Sequence, residues 1–491
     1  MKVLIINPPV RLHAKADILP WGLVYIAQSM LDEGHDVTVL DVNANRWSDE
    51  EMMEEISKID FEVVAIGGII TVYSYLKWVT LEIRKRYPAV PIIAGGFVAA
   101  PMPELIFSRT GANIICYGEG DITIKELLKA LETGGDLKSV NGLYLKEKEG
   151  FIQTPPRQII KNLDDIPIPK KAYEKFPMEI YLRNGKDSRL LASDWAKNKN
   201  IEDLDLTSFT LLSGRGCTHN CTFCYRMIKG MRKFSSDYMI EHITFLKNRY
   251  GVNNFIFSDE LFVSKPEWVN EFCDKIISNN LNINFRTYAR ANSISKELLD
   301  KMKKAGCFWL SIGFESGSQR MLDSMNKKID VRKNYEAVGL IKDAGINLTP
   351  TFIIGLPGEQ EDTLEETREF IQKTGIDEAG TFYATPYPGS MIYDFAIEKG
   401  LIKNIDQFIE SLDDADRFTI NLTDLKDGTL MKYMYLIVCD LKRNKNNRLK
   451  KEHPLKGALA NLYLGIERFI YTNSFTFGLD GFLRRLKNRG A

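Results

Sequence analysis

The sequence predicts an α/β protein made of two successive parallel α/β units and a small helical C-terminal region. Three observations predict it. Short Val- and Ile-rich runs alternate with helical patterns over residues 1–135. A second alternation starts at residue 208 and runs to about residue 385. Beyond about residue 400 the strand pattern fades and amphipathic stretches take over.

In the first unit the strands are KVLIIN (2–7), DVTVLD (36–41), VVAIGG (63–68), PIIAGG (91–96) and NIICYG (113–118). Helical patterns lie between them at 22–34, 74–87 and 122–134. Near-continuous apolar strands followed by helices indicate a parallel sheet covered on both faces. Five such units predict a doubly wound, flavodoxin-like (Rossmann-type) sheet, whose ligands sit at the carboxyl ends of the strands. Those ends carry NPP, GGII, GGF and YGEG, all loops of small residues. Residues 136–205 read as a connector: a hairpin and Pro-rich crossing in VNGLYLKEKEGFIQTPPRQ, then the polar, loop-like DSRLLASDWAKNKNIEDLD.

In the second unit, residues 206–400, the strands are 209–213, 254–258, 283–288, 308–314, 347–355 and 380–385. Helices are expected at 236–250, 266–279, 295–304, 331–344 and 361–373. Six strand–helix units argue for a parallel barrel, complete or partial, with a second flat sheet as the alternative. Residues 401–491 form the mainly helical end. Its last fifty residues, 442–491, hold twelve Lys and Arg against three Asp and Glu. ALANLYLGIERFIY is amphipathic and GFLRRLKNRGA is basic with an apolar face. A solvated helical cap is one account, and contact with a membrane surface or a lipid-like substrate is the other.

Composition narrows the function classes. Lys plus Arg and Asp plus Glu are 65 each, so no global charge draws the chain to nucleic acid. Seven cysteines in 491 residues are not a disulfide framework. MKVLIINPPVRL is broken too early by Pro8 and Pro9 to be a signal peptide, and no apolar run reaches the roughly 20 residues of a membrane span. A reducing, cytoplasmic compartment is expected, where thiols are free to bind metals.

Three of those thiols crowd into SGRGCTHNCTFCYR: Cys217, Cys221 and Cys224. Thiolates favour zinc, iron–sulfur clusters or copper. Structural zinc needs a fourth ligand at motif spacing. His219 lies inside the loop, and Cys273 and Cys307 lie far downstream without a second Cys-x-x-Cys pair. A four-iron four-sulfur cluster on three cysteines keeps one iron open for a small molecule. The loop follows the first strand of the second unit, the catalytic face of a parallel barrel.

CTHNCTFC has the Cys-x3-Cys-x2-Cys form of the radical S-adenosylmethionine (SAM) enzymes, and the chain resembles that superfamily. FIFSDELF, FRTYARANSISKELLDKMKKAGCFWLSIGFESGSQRML and FIIGLPGEQEDTLEET resemble successive strands of its barrel. LPWGLVYIAQSMLDEGHDVTVLD, IIAGGF and YGEGD resemble its cobalamin-binding N-terminal domain. The resemblance covers roughly residues 1–400. It implies a partial (β/α)6 radical SAM barrel behind a cobalamin-binding domain, with a 4Fe-4S cluster on Cys217, Cys221 and Cys224, SAM and cobalamin as cofactors.

The resemblance also implies site residues. Around SAM these are Phe223, Asp259 or Glu260, Arg286, Ser311, Glu315 and Gly355, with Arg290 flanking the same strand end as Arg286. Asp259-Glu260 departs from the common Gly-Gly-Glu form. Around cobalamin they are Thr71, Gly95, Gly96, Phe97 and Glu119. The Asp-x-His-x-x-Gly signature that gives cobalt a histidine is absent, and His13 and His35 read as ordinary loop histidines. Tyr383, Tyr387 and the YPGS turn are expected near the barrel mouth. The implied activity is methyl transfer to an unactivated carbon. The alternative is a cyclase, oxidation or rearrangement of the anaerobic magnesium-protoporphyrin ester cyclase type. Methylthiolation of tRNA would call for a second cysteine cluster, and Cys116 stands alone. The implied partners are a small-molecule substrate, hydrophobic or membrane-proximal, and a flavodoxin or ferredoxin as electron donor.

Overall fold

A computed structural model describes residues 1–11, 14–186, 206–413 and 415–477. The polar segment 187–205, the basic end 481–491 and His13 lie outside the described residues. The first sheet has the order β2-β1-β3-β4-β5-β6-β7. Its strands are β1 Lys2–Asn7, β2 Asp36–Asp41, β3 Val63–Gly68, β4 Ile92–Gly96, β5 Ile114–Cys116, β6 Leu143–Lys146 and β7 Phe151–Gln153. The first five pair in parallel, in flavodoxin order. The hairpin β6–β7 continues the sheet antiparallel to β5. The apolar runs are explained by burial on both faces: Val3 and Ile5 join one core cluster, Leu4 and Ile6 the other. Helices Asp49–Ser57 and Pro103–Arg109 were not read from the sequence. Each had a local signal, a Ser48/Glu51 capping box and a proline in the first turn.

The second sheet is β15-β14-β13-β12-β11-β8, parallel throughout. Its strands are β8 Ser208–Leu211, β11 Asn254–Phe257, β12 Asn284–Ala289, β13 Cys307–Glu315, β14 Asn347–Ile354 and β15 Gly380–Tyr383. Among the described residues β8 and β15 are its two edges and do not pair, so the barrel is partial. Side chains alternate with period two. Phe209, Phe255, Phe257, Phe285, Leu310, Ile312, Phe314 and Phe352 are buried in the core. The opposite face carries Thr210, Arg286, Tyr288, Ser311, Thr349 and Thr351, a polar interior suited to a polar ligand.

The two units share one core cluster, which runs from Val3 and Trp21 to Phe209 and Phe255. Trp21 Nε1 donates to Thr210 Oγ1 across the boundary at 3.3 Å. The C-terminal region straps both units. Ile409 and Leu412, at and just after helix Ile405–Glu410, join the core of the first unit. Helix Asp427–Glu452 is tied to helix Glu361–Thr374 by the buried Arg368–Asp440 pair at 2.8 Å. A last helix, Pro454–Phe477, folds back on it. Among the described residues no helix is long and apolar enough to cross a membrane.

Candidate active site

Parallel strands deliver their following loops to one rim. After β8 the chain forms the short ribbon β9 Gly214–Arg215 with β10 Arg232–Lys233, and the cysteine loop is the excursion between them. Cys221 is buried, Cys217 half-buried and Cys224 exposed. The Cys224 thiol is nonetheless pushed up to about 12 by desolvation, with Cys221 and Glu315 adding to it. A side chain that is open to solvent yet surrounded by protein lies on the wall of a cleft.

After β11 come Asp259 and Glu260, and the structure separates them. Asp259 is buried and holds Ser213 twice, accepting from its N–H at 2.8 Å and its hydroxyl at 2.7 Å. Lys233 donates to the same hydroxyl at 2.8 Å, and burial pushes its ammonium down to about 8. Glu260 is exposed as a residue, but its carboxyl lies against protein beside the Gly216 backbone, where desolvation and then Asp259 raise it. Asp259 therefore braces the base of the loop, and Glu260 is the carboxylate presented.

After β12, Arg290 is buried with Nη1 4.0 Å from Cys221 Sγ, Nη2 on the Lys327 carbonyl, and Nε without a partner. In β13 the ladder slips between Gly313 and Glu315, and Glu315 takes a φ of 64°. That left-handed backbone is costly for a side-chain-bearing residue. It aims Glu315 at Lys327 Nζ, 2.7 Å away, and at the Thr351 hydroxyl, 3.1 Å away. Gly313 leaves the room, because a Cβ there would lie 2.0 Å from Glu315 Oε1. Lys327 Nζ stands 5.9 Å from the Phe223 ring centre. Ser311 and Arg286 are half-buried on the inner face, Ser311 in register with Tyr288 and Thr349. Thr349 Oγ1 is buried there without a hydrogen-bond partner. After β14, Gly355 has a φ of 87° and donates its N–H to the buried Glu359 at 3.2 Å.

Three loops meet at Tyr225, the neighbour of Cys224. The Phe97 ring, after β4 of the first sheet, makes an edge contact with it at 5.4 Å. Gly389 of the YPGS turn packs so close that a Cβ would lie 2.4 Å from the Tyr225 ring and 3.3 Å from Pro101. Gly95, Gly96 and Thr71 lie half-buried on the same edge of the first sheet. The carboxyl edges of the two sheets thus face each other.

Glu119 follows β5 at that edge and is engaged by the second unit. Its carboxylate is 2% exposed and accepts from Arg215 at 3.2 Å, from both Arg232 nitrogens at 2.9 Å and from the Ile160 N–H at 2.8 Å. It joins the first unit to the ribbon that carries the cysteine loop. Tyr387 donates to the Asp413 carbonyl, and the Tyr383 ring packs on Phe418, which ties both to the following segment. His35 is buried against the N-terminal amino group at 3.2 Å. Cys273 and Cys307 are packed in the core. Ser213, Arg215, Tyr225, Arg232, Lys233 and Lys327 escaped the sequence reading. Ser213, Arg215 and Tyr225 lay inside the SGRGCTHNCTFCYR stretch, and the other three had no local signal.

The donor set suits a cluster. Among the described residues no three His, Cys, Asp or Glu side chains converge on a position for one metal ion. A polynuclear cluster asks instead for one thiolate per iron, and three cysteines leave one iron open. The buried, incompletely partnered Arg290 beside Cys221 suits a site whose ligands become anionic. On the facing edge, glycines where β4 ends keep side chains away from a large planar group.

Residues 211–371 match the radical SAM superfamily, and residues 8–128 match the B12 binding domain. A Pyrococcus horikoshii protein named as an uncharacterized methyltransferase is 31% identical over 411 residues, covering 82% of this chain and 84% of its own. The anaerobic magnesium-protoporphyrin IX monomethyl ester cyclase of Synechocystis sp. is 26% identical, over 82% of this chain and 79% of its own. The structure of the radical SAM methyltransferase TsrM from Kitasatospora setae, with tryptophan substrate and a SAM analogue bound, has the same fold. Its TM-score is 0.65 at 17% identity, over 82% of this chain and 77% of that one. The chain belongs to the radical SAM superfamily and carries a B12 binding domain. Its cofactors are accordingly a 4Fe-4S cluster, SAM and cobalamin.

Proposed function

We propose that the chain is a cobalamin-dependent radical SAM methyltransferase acting on an unactivated carbon of a small molecule. The observation that supports it is the meeting of the two carboxyl edges at Phe97, Tyr225 and Gly389, since cofactors bound at the two edges would then face one shared space. When bound, the cluster supplies the electron that cleaves SAM to methionine and a 5′-deoxyadenosyl radical, and cobalamin carries the methyl group.

Cys217, Cys221 and Cys224 hold the cluster. Glu260 accepts from the SAM ammonium, while Asp259 keeps the loop in place through Ser213. Arg286 takes the SAM carboxylate, since a guanidinium matches it bidentately. Ser311 and Thr349 offer hydroxyls to the ribose. Phe223 and the Gly355 backbone flank the adenine, and the Glu315–Lys327 pair stiffens the wall beside Phe223. Thr71, Gly95, Gly96 and Phe97 line the cobalamin side. The units run 1–135 for cobalamin, 136–205 as connector, 206–400 for the radical SAM barrel and 401–491 as helical end. The electron comes from a flavodoxin or ferredoxin, and the substrate is apolar or membrane-proximal. The relative from Pyrococcus horikoshii and TsrM are named for methyl transfer, which favours that reaction over cyclisation.

Anaerobic purification and reconstitution with iron, sulfide and hydroxocobalamin, followed by SAM and dithionite, tests this. Retained cobalamin, 5′-deoxyadenosine and a product heavier by one CH2 are expected. A cluster and 5′-deoxyadenosine without retained cobalamin would end the methyltransferase proposal and leave the radical SAM chemistry standing.

A further inference from the structure

The C-terminal hairpin leaves one face of its second helix bare. On Pro454–Phe477, Leu455 is 82% exposed, Leu459 66%, Leu462 63%, Tyr463 71% and Ile466 54%. Leu455, Leu459, Leu462 and Ile466 follow at steps of three and four, and Tyr463 lies four after Leu459 and three before Ile466, so all five share one stripe. The opposite stripe is the one that packs on the first helix. Gly457 lies against the Lys450 backbone, Asn461 donates to Asn447 at 2.9 Å, and Leu464 is 4% exposed. The bare stripe is therefore turned away from the protein. Five large apolar side chains in a row are not the scattered exposure normal for a surface.

The charge at the hairpin tip beside the stripe is mainly basic, with Glu452 the one exposed acidic residue between 445 and 460 and Glu467 paired with Lys442 at 3.7 Å. Lys445, Lys450, Lys451 and Lys456 are exposed, and no ion pair joins them to an acidic residue among the described residues. This contrasts with a chain whose charges balance overall. A second copy seated on this face by a twofold axis would bring the lysine rim against its own image, a repulsive contact. The following fourteen residues carry Arg484, Arg485, Lys487 and Arg489 against Asp480 alone, so that tail does not neutralise the rim either. An apolar stripe with a lysine border fits an anionic bilayer surface. The stripe enters the acyl boundary and each lysine near the head groups adds attraction.

We propose that helix Pro454–Phe477 docks in the plane of an anionic phospholipid bilayer, with Leu455, Leu459, Leu462, Tyr463 and Ile466 inserted and Lys450, Lys451 and Lys456 on the head groups. Docking does not depend on methyl transfer: a chain without cofactors docks equally.

The test is flotation of the full-length chain with vesicles of phosphatidylcholine alone and of phosphatidylcholine with about one-third phosphatidylglycerol. Binding to the anionic vesicles, weaker by about tenfold or more on phosphatidylcholine, is expected. The variant Leu459→Glu/Leu462→Glu/Ile466→Glu should lose binding to both. Lys450→Glu/Lys451→Glu/Lys456→Glu should lose the preference for anionic lipid. All these side chains are exposed, and an unchanged circular dichroism spectrum confirms the fold. Equal flotation of the apolar-to-Glu variant would overturn the proposal. So would the absence of flotation, whether the chain is then monomeric or forms a dimer that Leu459→Glu dissociates.

Discussion

Glu119→Gln asks directly what joins the two α/β units. The Glu119 side chain is 2% exposed, and those of Arg215 and Arg232 are 15% and 11% exposed. Gln keeps one acceptor and turns an amide NH2 towards a guanidinium. Arg215 retains Asp121, at 2.7 and 3.0 Å, but Arg232 retains only the Ile160 carbonyl. Breaking a buried pair by removing one partner costs about 3–5 kcal/mol. The surviving Asp121 contact places this case at the lower end, about 3 kcal/mol, or roughly two orders of magnitude in the folding equilibrium. Urea unfolding of the cofactor-free chain reads it as a lower midpoint at unchanged slope. In a cycle with Arg232→Met the two changes should be strongly non-additive. If Glu119 served cobalamin instead, the cofactor-free variant would stay within about 0.5 kcal/mol of wild type, as surface substitutions do. Only cobalamin affinity would fall. That result would refute the interdomain account.

Two further outcomes follow from buried charge. Burial pushes the Glu359 carboxyl up to about 7 from 4.5. The folded chain therefore binds more protons between those values, and stability falls as pH rises from about 4.5 through 7, by about 3 kcal/mol. Glu359→Gln keeps an acceptor for the Gly355 N–H and should flatten this difference when denaturation is compared at pH 5 and pH 8; an unchanged pH slope would sink the assignment. Arg290→Gln removes a buried positive charge beside Cys221 and so disfavours the more negative, reduced cluster. The midpoint potential, followed by electron paramagnetic resonance at unchanged iron content, should drop on the order of 100 mV for one charge a few ångströms away at an effective dielectric near 20. An unchanged potential would count against the Arg290–Cys221 contact.

Much of the fold was written locally. Strands 36–41 and 63–68 and helix 236–250 stand at the residues their periodicity marks, because burial on two faces, or on one helical stripe, leaves its pattern in consecutive residues. The cysteine loop was legible for the same reason, since a cluster's ligands come from one short excursion. Amphipathicity in 458–471 was legible too, but which stripe the hairpin would cover was not. Partners distant in sequence left no such mark. Glu119 and Asp259 looked alike in sequence, carboxylates at strand ends. Glu119 became a clamp through arginines 96 and 113 residues away, and Asp259 a brace through Ser213, 46 residues before it. The edge contact of Phe97 with Tyr225 exists because two sheets present their carboxyl edges to each other. Sequence alone therefore determined most of the elements, their order and the three-cysteine loop. Tertiary structure decided that β8 and β15 do not pair among the described residues, that Asp259 turns to Ser213 while Glu260 is left exposed, and where each buried charge finds its partners. A side chain's neighbours across a sheet or a domain boundary are set by packing of the whole chain, which no local window records.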